Sequence, residues 1–319
     1  MNIVFLDTYT TNPGDLSWKE FEKLGNVTTY DYTPRELVVE RCKEADIIID
    51  NKVVIDAQII EQLPNLKYIG MLSTGFNVVD ISAAKERGII VSNVPTYSTE
   101  AVAQLTFALI LSIYNQVELH NSAVHNGEWA ACRDFCFYIS PLIELKDKTI
   151  GLIGYGKIGS EVAKIADAFS MNILCYVPST KPQPDFKSFK FVSLDYLAEH
   201  SDIISLHCPL TPETTGIINA DFISKMKKNA IIINTSRGPS IDEQALADAL
   251  NSGRIYGAGV DVLSTEPPKP DNPLLSCEKC VITPHIAWAG YETRERLIGV
   301  VYNNLKSFLD GKPINVVNK

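Results

Sequence analysis

The stretch Ile150–Gly159 reads I-G-L-I-G-Y-G-K-I-G and sets Gly154, Gly156 and Gly159 in the spacing G-x-G-x-x-G. An apolar run, Thr149–Ile153, enters it and an amphipathic run, Ile158–Phe169, leaves it. The pattern is strand, tight turn, helix, the context that a dinucleotide-binding loop requires. Gly154 permits the tight turn, Gly156 lets the backbone approach a pyrophosphate, and Gly159 lets the new helix pack closely on the strand. The helix then aims its unpaired N–H groups and positive dipole end at the phosphates. Without its flanks the same spacing would read as a flexible turn. With them it predicts a doubly wound α/β domain.

Length and composition bound the rest. A chain of 319 residues suggests about two domains. Its 45% hydrophobic and 21% charged residues are those of an ordinary globular protein. A net charge of −9 and a pI near 5.1, with no basic stripe, argue against nucleic acid as a partner. The opening M-N-I-V-F-L-D has no basic region and reaches Asp7 at once, so it reads as a strand rather than a signal peptide. The most apolar long stretch, Ala101–Tyr114, carries Gln104, Thr106 and Ser112 and is too short to span a bilayer. The expectation is a soluble cytoplasmic protein with no membrane partner. The seven cysteines (Cys42, Cys132, Cys136, Cys175, Cys208, Cys277 and Cys280) are an odd number in a long chain, not a disulfide framework. Nothing requires the pairs Cys132/Cys136 and Cys277/Cys280 to meet, so they are read as reduced thiols with no metal.

Before the glycine loop, Ile3–Leu6, Val27–Tyr30, Ile47–Ile49, Tyr68–Met71 and Ile89–Val91 read as short strands. Trp18–Leu24 and Ile81–Arg87 read as helices, and Thr33-Pro34-Arg35-Glu36 as a capping box opening a helix that runs to about Ala45. Short apolar strands alternating with helices predict a parallel sheet covered on both faces. Asn93–Ser98 is a turn-rich joint. Thr99 then reads as the cap of a long helix, Glu100 to about His120, with Val102, Leu105, Leu109 and Ile113 on one face. The irregular segment Asn126–Pro141 carries Trp129, Phe135, Phe137 and Tyr138, a composition that packs on a neighbouring subunit or a substrate cleft. Six strands follow: Ile150–Ile153, Ile173–Val177, Ile203–Leu206, Ala230–Asn234, Tyr256–Val260 and Val281–Thr283. They fit a complete dinucleotide-binding fold. The final helix, Tyr291–Leu309, is expected to return to the first domain.

Three residues follow strand ends, where open α/β sheets form their ligand crevice. Arg237 lies in N-T-S-R-G, and its planar fork can bind a carboxylate bidentately. Glu266 lies in D-V-L-S-T-E-P-P, five residues after Asp261. His285 lies in T-P-H-I-A-W-A; there an imidazole can act as acid or base, and a nearby carboxylate favours its protonated form. Taken singly, the arginine could be a surface ion-pairing group and the glutamate a solvated loop carboxylate. Three such groups at three strand ends of one sheet form a constellation. His207 ends the strand Ile203–Leu206, where facing a cofactor and packing are equally open.

These motifs resemble the D-isomer-specific 2-hydroxyacid dehydrogenases over nearly the whole chain, densely from Leu72 onward. The likeness is carried by S-T-G-F-N (Ser73–Asn77), N-V-P-T-Y-S-T-E-A-V-A-Q (Asn93–Gln104) and the glycine loop. It continues through L-H-C-P-L-T-P-E-T (Leu206–Thr214), N-T-S-R-G (Asn234–Gly238), D-V-L-S-T-E-P (Asp261–Pro267) and T-P-H-I-A-W-A (Thr283–Ala289). Y-S-T-E-A-V-A-Q, D-F-C-F (Asp134–Phe137) and H-I-A-W look most like the glycerate dehydrogenase, or hydroxypyruvate reductase, branch.

The resemblance implies hydride transfer between a nicotinamide cofactor and a small D-2-hydroxy or 2-keto acid. Arg237 would hold the substrate carboxylate and polarise its carbonyl, with His285 as proton donor or acceptor and Glu266 keeping it protonated. The backbone amides of Thr74 and Gly75 would help bind the carboxylate, with Ser73 and Trp288 also in the implied substrate set. Lys157 and Ile158 would contact the pyrophosphate, Asp261 the nicotinamide amide, and Thr106, Thr235 and Ser236 the nicotinamide half. The implied cofactor set also includes Tyr155, Val177, Ser179, Thr180, His207, Cys208, Pro209, Thr214 and Ala287. The fold implied is a Rossmann domain, residues 99–285, inserted into a smaller flavodoxin-like substrate domain, residues 1–98 plus 286–319. A homodimer formed around the long helix is implied as well.

One position departs from the pattern. The fingerprint expects an acidic residue about 20 positions after the loop, and the matching residue is Val177. A carboxylate there would repel a 2′-phosphate, and Ser179, Thr180 and Lys181 could bind one, so NADP is expected to serve at least as well as NAD. Two other activities compete: a D-lactate or other 2-ketoacid reductase, and a nicotinamide-sensing binding protein of the corepressor type.

Overall fold

The computed structural model describes residues 1–179 and 181–319. The chain forms two compact units, Met1–Ser98 with Ala289–Lys319, and Thr99–Trp288. The second unit therefore ends three residues later than the boundary drawn from sequence. Ile286 and Ala287 stay with it because their amides donate to the buried carboxylate of Asp261, at 2.9 and 2.8 Å.

The first unit is built on five parallel strands, β1 (Asn2–Phe5), β2 (Asn26–Thr29), β3 (Ile47–Asp50), β4 (Tyr68–Met71) and β5 (Ile90–Ser92). Their order, β2-β1-β3-β4-β5, is that of flavodoxin-like sheets and reverses direction between β1 and β3. The strands β3 and β4 are buried along their whole length, as expected of a parallel sheet covered on both faces. Short helices α1 (Val38–Cys42), α2 (Ala57–Glu61) and α3 (Ile81–Glu86) lie between the strands. Asp56 and Asp80 cap the last two by accepting from Ile59 N and Ala83 N.

The capping box expected at Thr33 does not form. Pro34 is extended (φ −69°, ψ 151°), and the Thr33 hydroxyl accepts instead from Arg41 Nη1 at 2.7 Å. The helix consequently starts at Val38 and stops at Cys42. Trp18–Leu24 is likewise reduced to a 3-10 turn, Lys19–Lys23, whose buried Phe21 meets Phe5 and Tyr302 edge-on. The C-terminal helix Tyr291–Leu309 belongs to this unit: it buries Leu297, Val301 and Leu305 on one stripe and lays Phe308 against Tyr68, ring centroids 4.7 Å apart. Beyond it, Val316 pairs antiparallel with Ser92 and covers the outer edge of β5.

The second unit opens with α4 (Thr99–Asn115) and α5 (Val117–His125). A single helix from Glu100 to His120 was the expectation, but the chain breaks at Gln116, which adopts φ 45°. Its side-chain oxygen accepts from Ser140 Oγ at 2.7 Å and its carbonyl from His120 Nδ1 at 2.9 Å, so contacts made after the break hold it. Seven parallel strands follow: β6 (Thr149–Ile153), β7 (Asn172–Tyr176), β8 (Phe189–Phe191), β9 (Ile203–Leu206), β10 (Ile231–Asn234), β11 (Gly257–Val260) and β12 (Cys280–Ile282). The sequence reading had six; β8 is a three-residue edge strand paired only with β7. The order β12-β11-β10-β9-β6-β7-β8 is the Rossmann arrangement, reversing between β6 and β9. Helices α6 (Lys157–Ala168), α7 (Leu194–His200), α8 (Ala220–Lys225) and α9 (Glu243–Asn251) complete it.

Two apolar layers sandwich this sheet. Within β10, Ile231 and Ile233 join the layer containing α4 and α6, and Ile232 joins the opposite one. No single helix among the described residues is long and apolar enough to cross a membrane. The bent pair of α4 and α5 passes on length and composition, but α4 buries Val102, Phe107, Leu109 and Ile113 in the protein.

The glycine loop depends on two different kinds of space. A Cβ at Gly159 would lie 2.3 Å from the Gly154 carbonyl oxygen, whereas one at Gly156 would meet nothing within 4 Å. Gly159→Ala should therefore lower the unfolding free energy by about 1–3 kcal/mol. Gly156→Ala should leave the denaturant midpoint near wild type. Equal midpoints for the two variants would refute this account of the turn.

Candidate active site

At the end of β6 the chain turns through Gly154, whose φ of 105° lies in the left-handed region that favours glycine. A Cβ there would also lie 2.7 Å from the His207 carbonyl, so the turn sits directly on the backbone that leaves β9. Gly154 N donates to Tyr176 O at 2.9 Å and ties the turn to β7. Past Gly156, α6 begins at Lys157 with no side-chain cap on its first turn. An open space where Gly156 would carry its Cβ, facing an uncapped helix start, fits a dinucleotide pyrophosphate.

The other residues of the implied cofactor set gather at the neighbouring strand ends. The Thr106 and Thr235 hydroxyls are 3.0 Å apart, joining α4 to the end of β10. Ser236 Oγ donates to Cys208 O at 2.5 Å, joining β10 to β9. Thr214 Oγ1 donates to Pro209 O at 2.6 Å and accepts from Thr211 N at 2.7 Å, so this hydroxyl organises its own turn. The His207 ring lies behind the glycine loop with Nε2 2.9 Å from Ser205 Oγ, and burial pushes its pKa down to about 3. It is neutral, with Nδ1 buried and unbonded among the described residues.

Val177, just past β7, packs half-buried against the apolar layer, and Ser179 is exposed. Thr180 lies outside the described residues. Lys181 Nζ donates to Tyr155 O at 2.7 Å and so reaches the glycine loop itself. The Tyr155 ring rests on Phe189 and Phe191 of β8 at 5.2 and 5.8 Å.

Arg237, Glu266 and His285 follow three adjacent strands, β10, β11 and β12. Asn234 shapes the first turn: its side chain accepts from Ser236 N at 3.0 Å and donates to Arg237 O at 2.9 Å. Arg237 is exposed, gives Nη1 to Ser236 O at 2.8 Å, and closes no ion pair among the described residues. Gly238 sits against the backbone after β11, where a Cβ would come within 1.9 Å of Leu263 C. That approach brings the arginine turn to the loop carrying Glu266.

Glu266 Oε2 accepts from His285 Nδ1 at 2.6 Å, and Oε1 accepts from Leu263 N at 3.0 Å. Burial pushes the Glu266 carboxyl up. The His285 bond and charge, the Leu263 amide and the Arg237 charge outweigh this and hold it below the usual range. It is a carboxylate, and its bond fixes Nδ1 as the protonated nitrogen, leaving Nε2 without a partner among the described residues.

His285 itself has φ 54°, uncommon for a residue other than glycine. Its amide donates to Asp261 O at 2.8 Å. The Asp261 side chain, 1% exposed, accepts from Thr283 Oγ1 at 2.6 Å and from the Ile286 and Ala287 amides. Burial raises the Asp261 pKa against the pull of those donors. Its observed task is to hold the turn around His285. The sequence reading missed that role, together with Asn234 and Gly238.

The loop Ser73–Gly75 belongs to the first unit. Ser73 Oγ donates to Gly75 O at 2.6 Å, Thr74 Oγ1 to Val94 O at 2.7 Å, and Asn93 Nδ2 to Thr74 O at 2.7 Å. The side chains are occupied in holding the loop. The Thr74 and Gly75 amides have no partner among the described residues and can receive an anion. Trp288, the last residue of the second unit, is half-buried.

Because only glycine permits the contact at Leu263, Gly238→Ala should separate Arg237 from Glu266 and His285. The expected result is a drop in turnover of at least about tenfold with a dinucleotide still bound. Unchanged turnover would show that the two loops do not need this contact.

Residues 107–287 match the family model described as D-isomer specific 2-hydroxyacid dehydrogenase, NAD binding domain. The chain is 51% identical to a hydroxypyruvate reductase of Blautia hydrogenotrophica, with 100% of both chains covered. Among solved structures it is similar to the TT0316 protein of Thermus thermophilus, at 36% identity and TM-score 0.89, covering 99% of this chain and 100% of that one. It is also similar to an acyclic imino acid reductase in complex with NADPH and D-Arg, at 35% identity and TM-score 0.83 over 99% and 100%. The chain belongs to the D-isomer-specific 2-hydroxyacid dehydrogenase family.

Proposed function

We propose that this dehydrogenase reduces hydroxypyruvate or glyoxylate to the corresponding D-2-hydroxy acid. The observation that carries the reading is the 2.6 Å bond from His285 Nδ1 to the Glu266 carboxylate, beside an arginine with no ion-pair partner among the described residues. The choice of substrate is supported by the hydroxypyruvate reductase relative.

The chemistry needs a hydride and a proton delivered to one carbonyl. A nicotinamide cofactor held at the loop Gly154–Gly159 would supply the hydride. Arg237 pairs bidentately with the substrate carboxylate and draws charge toward the C2 oxygen. His285 Nε2 gives that oxygen its proton as negative charge develops. Glu266 stabilises the imidazolium before transfer and keeps Nε2 as the reacting nitrogen.

On the cofactor, the reading is that NADP serves at least as well as NAD. Val177 removes the acidic residue that would repel a 2′-phosphate, and Lys181 stands close to the loop with a neutral carbonyl as its partner. A homodimer is supported by the apolar groups exposed after α5, above all Phe135 at 89% and Tyr138 at 74%. Action in the cytoplasm accords with seven free thiols.

A panel of 2-keto acids assayed with both reduced cofactors tests the substrate and cofactor together. NADPH should give a kcat/KM at least equal to that of NADH; about a hundredfold preference for NADH would overturn the cofactor reading. Arg237→Ala should cost about 10²–10³-fold or more in activity while nucleotide binding survives. Near wild-type activity in that variant would remove the substrate carboxylate from Arg237.

A further inference from the structure

The first unit has its own point of reversal, between β1 and β3, and two acids stand at the carboxyl ends of those strands. Asp7 and Asp50 are 2% and 0% exposed. Asp7 Oδ1 accepts from Asn51 N at 2.8 Å and Oδ2 from Lys52 N at 2.9 Å. Asp50 Oδ1 accepts from Val53 N at 3.2 Å. Two carboxyl groups thus hold three consecutive amides of one loop.

The two side chains also hydrogen bond to each other. Asp50 Oδ2 is buried and no donor reaches it. Two acceptor oxygens can bond only through a proton, and two adjacent buried carboxyls cannot both ionise. Asp50, the more deeply buried, therefore carries the proton, and Asp7 keeps the charge.

No neighbouring group replaces that proton. Lys52 favours ionised Asp7 by its charge but closes no ion pair among the described residues. Asp31, past β2, accepts from Thr8 Oγ1 at 3.0 Å. On α1, the Cys42 thiol is pushed up to about 12, first by burial and then by Asp50, and so remains protonated. Arg41 donates to Tyr32 O and Thr33 Oγ1 at 2.7 Å each.

We propose that the proton shared by Asp7 and Asp50 latches the Asn51–Val53 loop, and that its loss at alkaline pH releases the loop. Lys52 would move with it. That residue lines a cavity of about 300 Å³ together with Asp7, Tyr9, Thr10, Asp31 and Tyr32, so release changes the shape and charge of the cavity.

The direction follows from linkage. Burial raises both carboxyls, Asp50 well above the ordinary carboxylate range. A carboxyl raised in the folded state contributes stability that is fully present below its unfolded pKa and is lost as pH rises through the folded pKa. The latch is therefore closed on the acid side and opens with increasing pH.

Hydrogen exchange on the full chain reads this directly. After correction for base catalysis, protection of the Asn51, Lys52 and Val53 amides should fall about tenfold per pH unit above the transition. Second-unit amides should hold. In Asp50→Asn the amide nitrogen can donate to Asp7 without titrating, so protection of the loop should not vary with pH. A flat profile in the wild type, or an unchanged fall in Asp50→Asn, overturns the proposal. Should Asp50→Asn fail to fold, infrared difference spectra of the wild type decide. A carbonyl band of a protonated carboxylic acid should persist at neutral pH and bleach as the amides lose protection; its absence at neutral pH overturns the latch.

Discussion

The carboxylate of Asp261 accepts three hydrogen bonds, all from the turn Thr283–Ala287 that follows β12. A buried carboxylate is costly unless such donors replace its water, so the turn and the acid require each other. Within the turn His285 adopts a left-handed backbone, which costs an ordinary residue roughly 1–2 kcal/mol. The surrounding hydrogen bonds over-determine that conformation, as is characteristic of strained residues at functional sites. With the backbone so held, the imidazole meets Glu266 at 2.6 Å. Disturbing Asp261 would move the histidine before it touched any substrate.

Sheet geometry supplies what remains of the constellation. Neighbouring strands lie about 4.8 Å apart, so loops leaving β10, β11 and β12 at one edge are already neighbours. Gly238 closes the remaining gap between the first two by letting backbone rest on backbone. Each unit has a point where its strand order reverses, and the two are finished in opposite ways. In the second, glycines and an uncapped helix leave amides available to an anion. In the first, Asp7 and Asp50 fill the reversal with their own carboxyls and take up the amides of Asn51–Val53. One reversal is open to a ligand; the other is closed by the protein.

The parts of this arrangement that local pattern encodes were legible in the sequence. The G-x-G-x-x-G loop, the strand ends carrying Arg237 and His285, and the return of the C-terminal helix all rest on periodicity and spacing. What escaped depends on contacts distant in sequence. Thr33 has the form of a cap, but Arg41 claims its hydroxyl. Gln116 lies in a run that reads as continuous helix, and Ser140 helps to hold the break. Asp50 looks like the polar end of an apolar strand, and only the fold brings Asp7 to it across 43 positions. Gly238 is one glycine among many until Leu263 packs against it. Asp261 was legible as a site residue, yet its hold on the His285 turn is not written in spacing.

In the proposed cofactor reading, the adenosine end of the site is governed by charge rather than by shape. At Val177 an acidic side chain would repel a 2′-phosphate over several ångströms, and an apolar one exerts no such force. Lys181 acts in the other direction. Its ammonium is bonded to the Tyr155 carbonyl, a neutral acceptor, so the hydrogen bond positions the charge without cancelling it. A salt bridge in the same place would have to be broken before an anion could use the lysine. The carbonyl bond leaves two of the three ammonium protons available, and the Tyr155 ring is itself steadied by Phe189 and Phe191 of β8. The short edge strand thus steadies the residue whose carbonyl holds Lys181.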